Sequence, residues 1–400
     1  MANIAVMGYG IVGAGVVGVI EENAEIIKKN AGEEINVKYV LDLKDFPDDP
    51  VQEKIIHDVE ILLNDKDVDL VVETMGGVEP AFTFVKRALE AGKHVCTSNK
   101  NLVAAKGAEL LKTAWEKGVY FLFEAAVGGV IPIIRGLNKS LTADRIESVT
   151  GILNGTCNYI LTKMEKDNAS FEDALKKAQE NGYAERDPEN DIKGYDSCRK
   201  IAIIASIVSG RFVNYENILT EGIDNISAED IEYAKSLGMK IKLLAKCTYE
   251  DGKLFAVTAP CMIGPKHPLY GIDGVTNSVS VHGNFMEDVT FTGAGAGRFP
   301  TASAVVSDIV DAIGHKGQDE YRLLWSEEEL VPADAKKNHY NFFVRIRENE
   351  KNDDSAFEAI RTVSLDQFED EYAVITDEMT REEFDERVKG VDVISFYRVI

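Results

Sequence analysis

Four hundred residues are more than one hydrophobic core holds, so two or three domains are expected. With 45% hydrophobic and 28% charged residues the composition is that of an ordinary globular protein. The formal net charge of −24 argues against nucleic acid and anionic membrane surfaces as partners, because those need basic patches, and any anion site must be built locally. Five scattered cysteines (Cys96, Cys157, Cys198, Cys247, Cys261) without a C-x-x-C pair argue against a disulfide framework and a zinc site, and point to the cytoplasm.

The chain opens with a run that imitates a membrane span. Ile4 to Ile20 carries no charge, but it is seventeen residues long and holds five glycines. That is short for a span, and no basic segment precedes it as in a signal peptide. A buried strand feeding a tightly packed helix explains the same letters. The predicted order continues with a helix over Val12–Asn30, strands at NVKYVLD and DLVVETMG, a helix over Phe82–Ala91 stopped by Gly92, and the strand HVCTS. A helix ending at Gly118 and the strand VYFLFEAAV follow. Strands alternating with helices make βαβ units and a parallel sheet, so residues 1–130 read as a Rossmann dinucleotide-binding domain.

From Ile131 the texture changes. Helices over Phe171–Asn181 and Asp196–Ser209, with strands at LFAVTAPCMI and NSVSVHGNF, predict an α+β domain with a mixed sheet over residues 131–317. The acidic stretch Gln318–Ala335 reads as a linker. Residues 336–400 begin with the strand NFFVRIR and end with the strand VDVISFYRVI, with charged helical segments between. The fold class is α/β.

Residues 8–13 read GYGIVG, a G-x-G-x-x-G placed after a strand and opening a helix. Gly8 permits the tight turn, Gly10 lets the backbone approach a pyrophosphate, and Gly13 allows close helix–strand packing. Strand, loop and helix in that order lift the motif above an empty glycine-rich turn. Asp42, ending the second strand, is placed to accept from a ribose 2′-hydroxyl and to repel a 2′-phosphate, which favours NAD over NADP. Lys44 offsets part of that repulsion.

Four further motifs carry chemistry. CTSNKNLVAA sets Lys100 past the C-terminal end of a parallel strand, the edge where α/β sheets bind ligands. In FEAAVGGVIPII, Glu124 and the Gly128–Gly129 pair end a buried strand, and turned carbonyls there suit a cation or a substrate. In GILNGTCNYIL, Asn154, Gly155, Thr156 and Asn158 form either a capping turn or a polar pocket wall. In AERDPENDIKGYDSCRK, Glu185, Asp187, Asp191 and Asp196 crowd one loop, and Asp196 lies four residues from Lys200, on the same helix face. A carboxylate favours the ammonium while burial opposes it, which suits a lysine that gives and takes a proton. A surface lysine and an acidic surface loop are the ordinary alternatives for each motif taken alone. A later segment, GAGAGRFPTASAV, is a second glycine-rich turn entering a helix, which completes the Rossmann domain at about residues 300–316.

Together, GYGIVG, TSNK, EAAVGGVIPII, GILNGTCNYILTKM, AERDP…DIKGYDSCRK and GAGAGRFPTASAV resemble the homoserine dehydrogenases, in family order over about residues 3–315. The resemblance implies NAD(P)-dependent interconversion of L-homoserine and L-aspartate 4-semialdehyde, in threonine, methionine and isoleucine biosynthesis. By that resemblance Lys200 and Lys100 handle the proton, and Asp196 partners Lys200. Glu185 and Asp191 hold the substrate's amino end, with Thr156 and Asn154 beside it. Gly8, Tyr9, Gly10, Ile11, Val12, Gly13, Asp42, Thr74, Lys100 and Gly297 fall at cofactor positions. Glu124 with the carbonyls of Val127, Gly129 and Ile131 matches a monovalent-cation site, with sodium the expected ion. Two departures stand out. Arg186 follows Glu185 where Ala or Pro is usual, and Leu43 replaces an arginine frequent in NADP-using members. The C-terminal piece resembles a degenerate ACT module. RENEKNDDSAFEAI stands in place of the usual effector turn, so the module is expected to serve assembly. A homodimer, or a tetramer through that module, is the expectation. The competing reading is an NAD-binding amino-acid sensor without turnover.

Overall fold

The computed structural model describes residues 1–317, 324–348 and 357–400. The chain forms two compact units. One comprises residues 1–144, 202–215 and 293–330, the other residues 145–201, 216–292 and 331–400.

The first unit is built on a parallel sheet in the spatial order Ile55–Ile56, Ile35–Leu41, Ala2–Met7, Val68–Glu73, His94–Thr97, Phe121–Leu122. In chain order this is 3-2-1-4-5-6, the dinucleotide-binding arrangement, with the switch point beside Ala2–Met7. The central strands are buried on both faces, which is why they read as continuous Val/Ile/Leu runs. The helix Arg298–Gly314 returns to this unit, and its Ala302, Val305, Val306 and Ile309 share a core with Val6, Val16 and Val72.

Local details depart from the sequence reading. The first helix breaks at Asn23 into Ile11–Glu22 and Ala24–Ala31. The strand expected at VYFLFEAAV is two residues long and gives way to a 3₁₀ turn at Glu124–Ala126. Part of the expected linker, residues 318–323, lies outside the described residues. Within its remainder one unit ends at Leu330 and the other resumes at Val331, and the part before that boundary is structured. Ser326–Glu329 pairs with Arg211–Phe212, and buried Trp325 packs on Phe123, 5.5 Å between ring centroids. Gly107 makes room for that indole, since a Cβ there would lie 2.7 Å from the Trp325 ring.

His94 ends up buried in this sheet, stacked on Tyr120, with its Nδ1 accepting from the Tyr120 N–H at 3.0 Å. Burial, helped by the nearby Lys316 charge, pushes its pKa down to about 4. The unfolded chain therefore binds a proton that the folded one refuses between about pH 6.5 and 4. Stability tied to the neutral ring is complete above that window and is lost as pH falls through it, on the order of 3 kcal/mol in full. Urea melts at pH 7 and pH 5 should show a steeper loss in the wild type than in His94→Asn. Equal losses would remove His94 from the acid response.

The second unit holds a mixed sheet running Glu287–Ala294, Thr276–Gly283, Ile146–Ile152, Lys240–Glu250, Lys253–Ile263, Val393–Val399, His339–Arg347, Glu371–Thr376, Ala359–Val363. Its long hairpin, Lys240–Glu250 with Lys253–Ile263, is antiparallel in unbroken register. The C-terminal strands join the same sheet, because Val393–Val399 pairs in parallel with Lys253–Ile263. Arg398, 1% exposed, fixes this seam through bonds of 2.5 and 3.2 Å to Glu221. The charged helical segments expected between the two terminal strands prove to be two strands and the helix Arg381–Arg387, capped by Thr380 and Glu383. Of the segment standing in place of an effector turn, residues 349–356 lie outside the described residues. Among the described residues no helix is long and apolar enough to cross a membrane.

Candidate active site

The phosphate loop leaves the strand Ala2–Met7 and turns at Gly8, whose φ of +94° only glycine adopts without strain. Gly10 sits at the N-cap of Ile11–Glu22 without a side-chain cap, so the first N–H groups of that helix are available to an anion. Gly13 packs beneath the loop, where an added Cβ would lie 1.9 Å from the Gly8 oxygen. Thr74 joins the next strand to this loop, its hydroxyl donating to the Gly8 carbonyl at 2.9 Å. Ile11 is exposed and Val12 half-buried, both on the first turn. Gly297, at φ +127°, caps the returning helix Arg298–Gly314.

Asp42 lies directly after Ile35–Leu41 and closes onto this loop, one carboxylate oxygen accepting from the Tyr9 N–H at 2.7 Å. Its other oxygen accepts from the Lys44 N–H. The Tyr9 hydroxyl donates to Asp49 at 3.0 Å and its ring meets Phe46 edge-on. Burial and the Asp49 carboxylate push the Tyr9 phenol up to about 12, so it remains a neutral donor. Asp49 was not foreseen from the sequence, where it lies in an acidic loop without a motif.

Lys100 opens the helix Lys100–Lys117 immediately after the strand His94–Thr97, with Asn99 as N-cap. Glu124 is buried, and both of its carboxylate oxygens accept backbone N–H groups, from Ile134 and Arg135, at 2.8 Å each. Burial pushes its carboxyl up, and those two bonds pull it back. Gly128 and Gly129, at φ +75° and +62°, turn the following segment, and the Ile131 carbonyl accepts from Ile133. A carboxylate and main-chain carbonyls are hard oxygen donors, the chemistry an alkali cation takes.

In the second unit four of the expected residues meet. Lys200 donates to Asp196 at 2.7 Å and to the Leu153 carbonyl at 2.7 Å, and all but a tenth of both side chains is buried. Asn154 donates to Asp196 at 2.9 Å and to Asp191 at 2.7 Å. The same Asn154 accepts from the Cys157 N–H as N-cap of Gly155–Asp167. The sequence left a capping turn and a pocket wall as alternatives, and this side chain does both. Asn158 is buried and structural, bonded to Ile272, Thr276 and Lys242. Thr156 donates to the Tyr183 carbonyl, which fixes the end of the segment bearing Glu185. Glu185 is exposed, with its carbonyl accepting from Gln179.

Such a cluster can hold an amino group on its carboxylates and a proton on its lysine. Residues 8–124 match the family described as the NAD-binding domain of homoserine dehydrogenase, and residues 132–310 match homoserine dehydrogenase itself. The chain belongs to the homoserine dehydrogenase family. A homoserine dehydrogenase of Synechocystis is 42% identical over 323 residues, 78% of this chain and 73% of that protein. The crystal structure of a homoserine dehydrogenase from Thiobacillus denitrificans superposes with a TM-score of 0.91 at 32% identity, covering 100% of this chain and 98% of that one. A hyperthermophilic archaeal homoserine dehydrogenase, solved in complex with NADPH, matches 78% of this chain and 97% of its own at 27% identity and a TM-score of 0.66. As a homoserine dehydrogenase, the chain is an NAD(P)-dependent oxidoreductase acting on a small-molecule substrate. The reading as a sensor without turnover finds no support.

Proposed function

We propose that this homoserine dehydrogenase oxidises L-homoserine with Lys200 as the base that takes the hydroxyl proton, and with Asp191 and Glu185 receiving the substrate ammonium. The observation that carries the reading is the Asn154–Asp191–Asp196–Lys200 cluster, buried except at Asp191, which is half-buried. Asp196 and the Leu153 carbonyl hold the Lys200 nitrogen at a fixed position, so little reorientation is needed when the proton moves. A bound nicotinamide would supply the hydride chemistry, while Lys200 takes the hydroxyl proton in oxidation and returns it in the reverse reduction. Lys100, at the first position of the helix that follows His94–Thr97, is the second lysine of the proposed proton chemistry. Tyr9, Ile11, Val12, Thr74 and Gly297 line the cofactor path with Gly8, Gly10 and Gly13. The loop fits the group, since the volume a Cβ would occupy at Gly13 is already filled from within. Glu124 with the carbonyls of Val127, Gly129 and Ile131 would hold sodium. A homodimer in the cytoplasm, with the C-terminal strands as an ACT-like assembly module, completes the reading.

Asp42 and Asp49 both face the loop that would carry the adenosine ribose, and Leu43 supplies no cation. NAD is therefore the preferred cofactor, because a 2′-phosphate would meet two carboxylates. Initial rates with L-homoserine at mildly alkaline pH should be higher with NAD than with NADP. In Asp42→Asn the NAD:NADP ratio of kcat/KM should fall about 10-fold. Faster turnover with NADP, or an unchanged ratio in the variant, would overturn the preference. Turnover with neither cofactor would overturn the enzyme. The same rates in sodium, potassium and choline chloride test the cation, and a rate indifferent to all three would remove it.

A further inference from the structure

Glu73 ends the strand Val68–Glu73 at the cofactor edge of the first sheet, and its side chain is fully buried. A buried carboxylate must find donors. This one collects four from two different segments. From the loop after its own strand, the Met75 and Gly76 N–H groups donate at 2.8 and 3.2 Å. From the end of the neighbouring strand His94–Thr97 the Thr97 hydroxyl donates at 2.5 Å, and from the loop after it the Asn99 amide donates at 3.4 Å. Asn99 goes further and donates to the Gly77 carbonyl at 2.6 Å while capping the helix of Lys100 through the Leu102 N–H. Burial pushes the Glu73 carboxyl up, and its four donors pull it back.

Both loops thus hang on one side chain. The first carries Thr74, which bonds the phosphate loop at Gly8. The second carries Lys100 at the first position of its helix. Gly76 and Gly77, at φ +82° and +72°, let the first loop fold back over the carboxylate.

We propose that Glu73 is a positioning residue of the reaction, setting Thr74 against the cofactor and Lys100 against the reacting oxygen through its shared hydrogen bonds. The proposal rests on the reading that Thr74 and Lys100 serve the cofactor and the proton. Removing the acceptor takes the shared partner from two loop amides and the Thr97 hydroxyl and leaves Asn99 bonded to Gly77 alone, so both loops relax away from their set positions. The substrate ammonium site lies outside this network, and its affinity should not follow.

The test compares Glu73→Ala, Glu73→Gln and Lys100→Ala by NADH titration, steady-state kinetics and thermal melting. For Glu73→Ala the expected result is NADH binding weakened about 10-fold and kcat lowered about 30-fold, with the KM for homoserine within twofold. Glu73→Gln, which keeps an acceptor toward Met75 and Gly76, should recover most of the NADH affinity. If Glu73→Ala melts too low to assay, Thr97→Val removes one donor in place and should move NADH affinity and kcat in the same direction, about threefold. Wild-type NADH affinity and kcat in folded Glu73→Ala would overturn the proposal. So would a uniform fall in all parameters, since that reports lost protein and not misplaced loops. Lys100→Ala separates the two levels of the argument. If it is silent, the underlying reading fails, and if it is damaging while Glu73→Ala is silent, only the positioning role fails.

Discussion

Lys200→Ala should lower kcat for homoserine oxidation by at least about 10²-fold while leaving NADH affinity near the wild-type value. The argument is geometric. Lys200 is held at 2.7 Å by both Asp196 and the Leu153 carbonyl, inside a cluster that Asn154 extends to Asp191. On the proposed role of Lys200, alanine removes the proton acceptor, and water in its place lacks a fixed position at the reacting hydroxyl. The substitution also takes the lysine partner from Asp196, which is 3% exposed. Losing one partner of a buried pair costs on the order of 3–5 kcal/mol, so a lower melting temperature accompanies the rate loss. Asp196→Asn distinguishes the two effects. It keeps a hydrogen-bonding side chain against Lys200 and should lose less stability than Lys200→Ala, while kcat stays depressed by about 10-fold because the lysine loses its orienting charge. Measured kcat within threefold of wild type in Lys200→Ala would move the proton chemistry to Lys100 or to water.

The parts of this molecule that are legible in sequence are those fixed by neighbours within about one helical turn. GYGIVG fixes its own loop because each glycine answers a local steric demand. Asp196 and Lys200 are paired by helix spacing alone. Gly92 and Gly118 stop their helices at φ +77° and +63°, as glycine after a helix should. Contacts decided by distant strands are not legible in this way. Phe121–Leu122 is short because Glu124 turns away to cap the backbone at Ile134 and Arg135, which nothing in VYFLFEAAV announces. The strands Ala359–Val363 and Glu371–Thr376 read as charged and helical because the first is largely exposed, and tertiary pairing overrides its propensity. The supposed linker held a signal that was passed over, a tryptophan among acidic residues, and Trp325 anchors it. Glu73 was the more consequential miss. Its sign was one glutamate closing the apolar run DLVVE ahead of two glycines, a charge that burial would forbid without donors waiting.

Gly13→Ala should weaken NADH binding by roughly 10²-fold, the upper range for overpacking a tight contact. The added Cβ would lie 1.9 Å from the Gly8 oxygen, 2.9 Å from the Thr74 hydroxyl and 3.0 Å from the Gly8 carbonyl carbon. Two of these three atoms belong to backbone, so no rotamer change relieves the clash, and the loop must move off the helix N-terminus proposed to receive the pyrophosphate. Thr74 moves with it, because its hydroxyl is bonded to the displaced carbonyl. Gly10 makes the contrast. No protein atom lies within 4 Å of a Cβ built there, so Gly10→Ala should melt like wild type and penalise dinucleotide binding alone. Gly13→Ala should lose both stability and affinity, since its clash exists before any ligand arrives. Titration by NADH fluorescence, with melting curves of each apo protein, reads both quantities. Affinity within twofold of wild type in both variants would mean that GYGIVG packs a helix onto a sheet and holds no phosphate. Loss of affinity in Gly10→Ala at unchanged stability would place the pyrophosphate against that backbone.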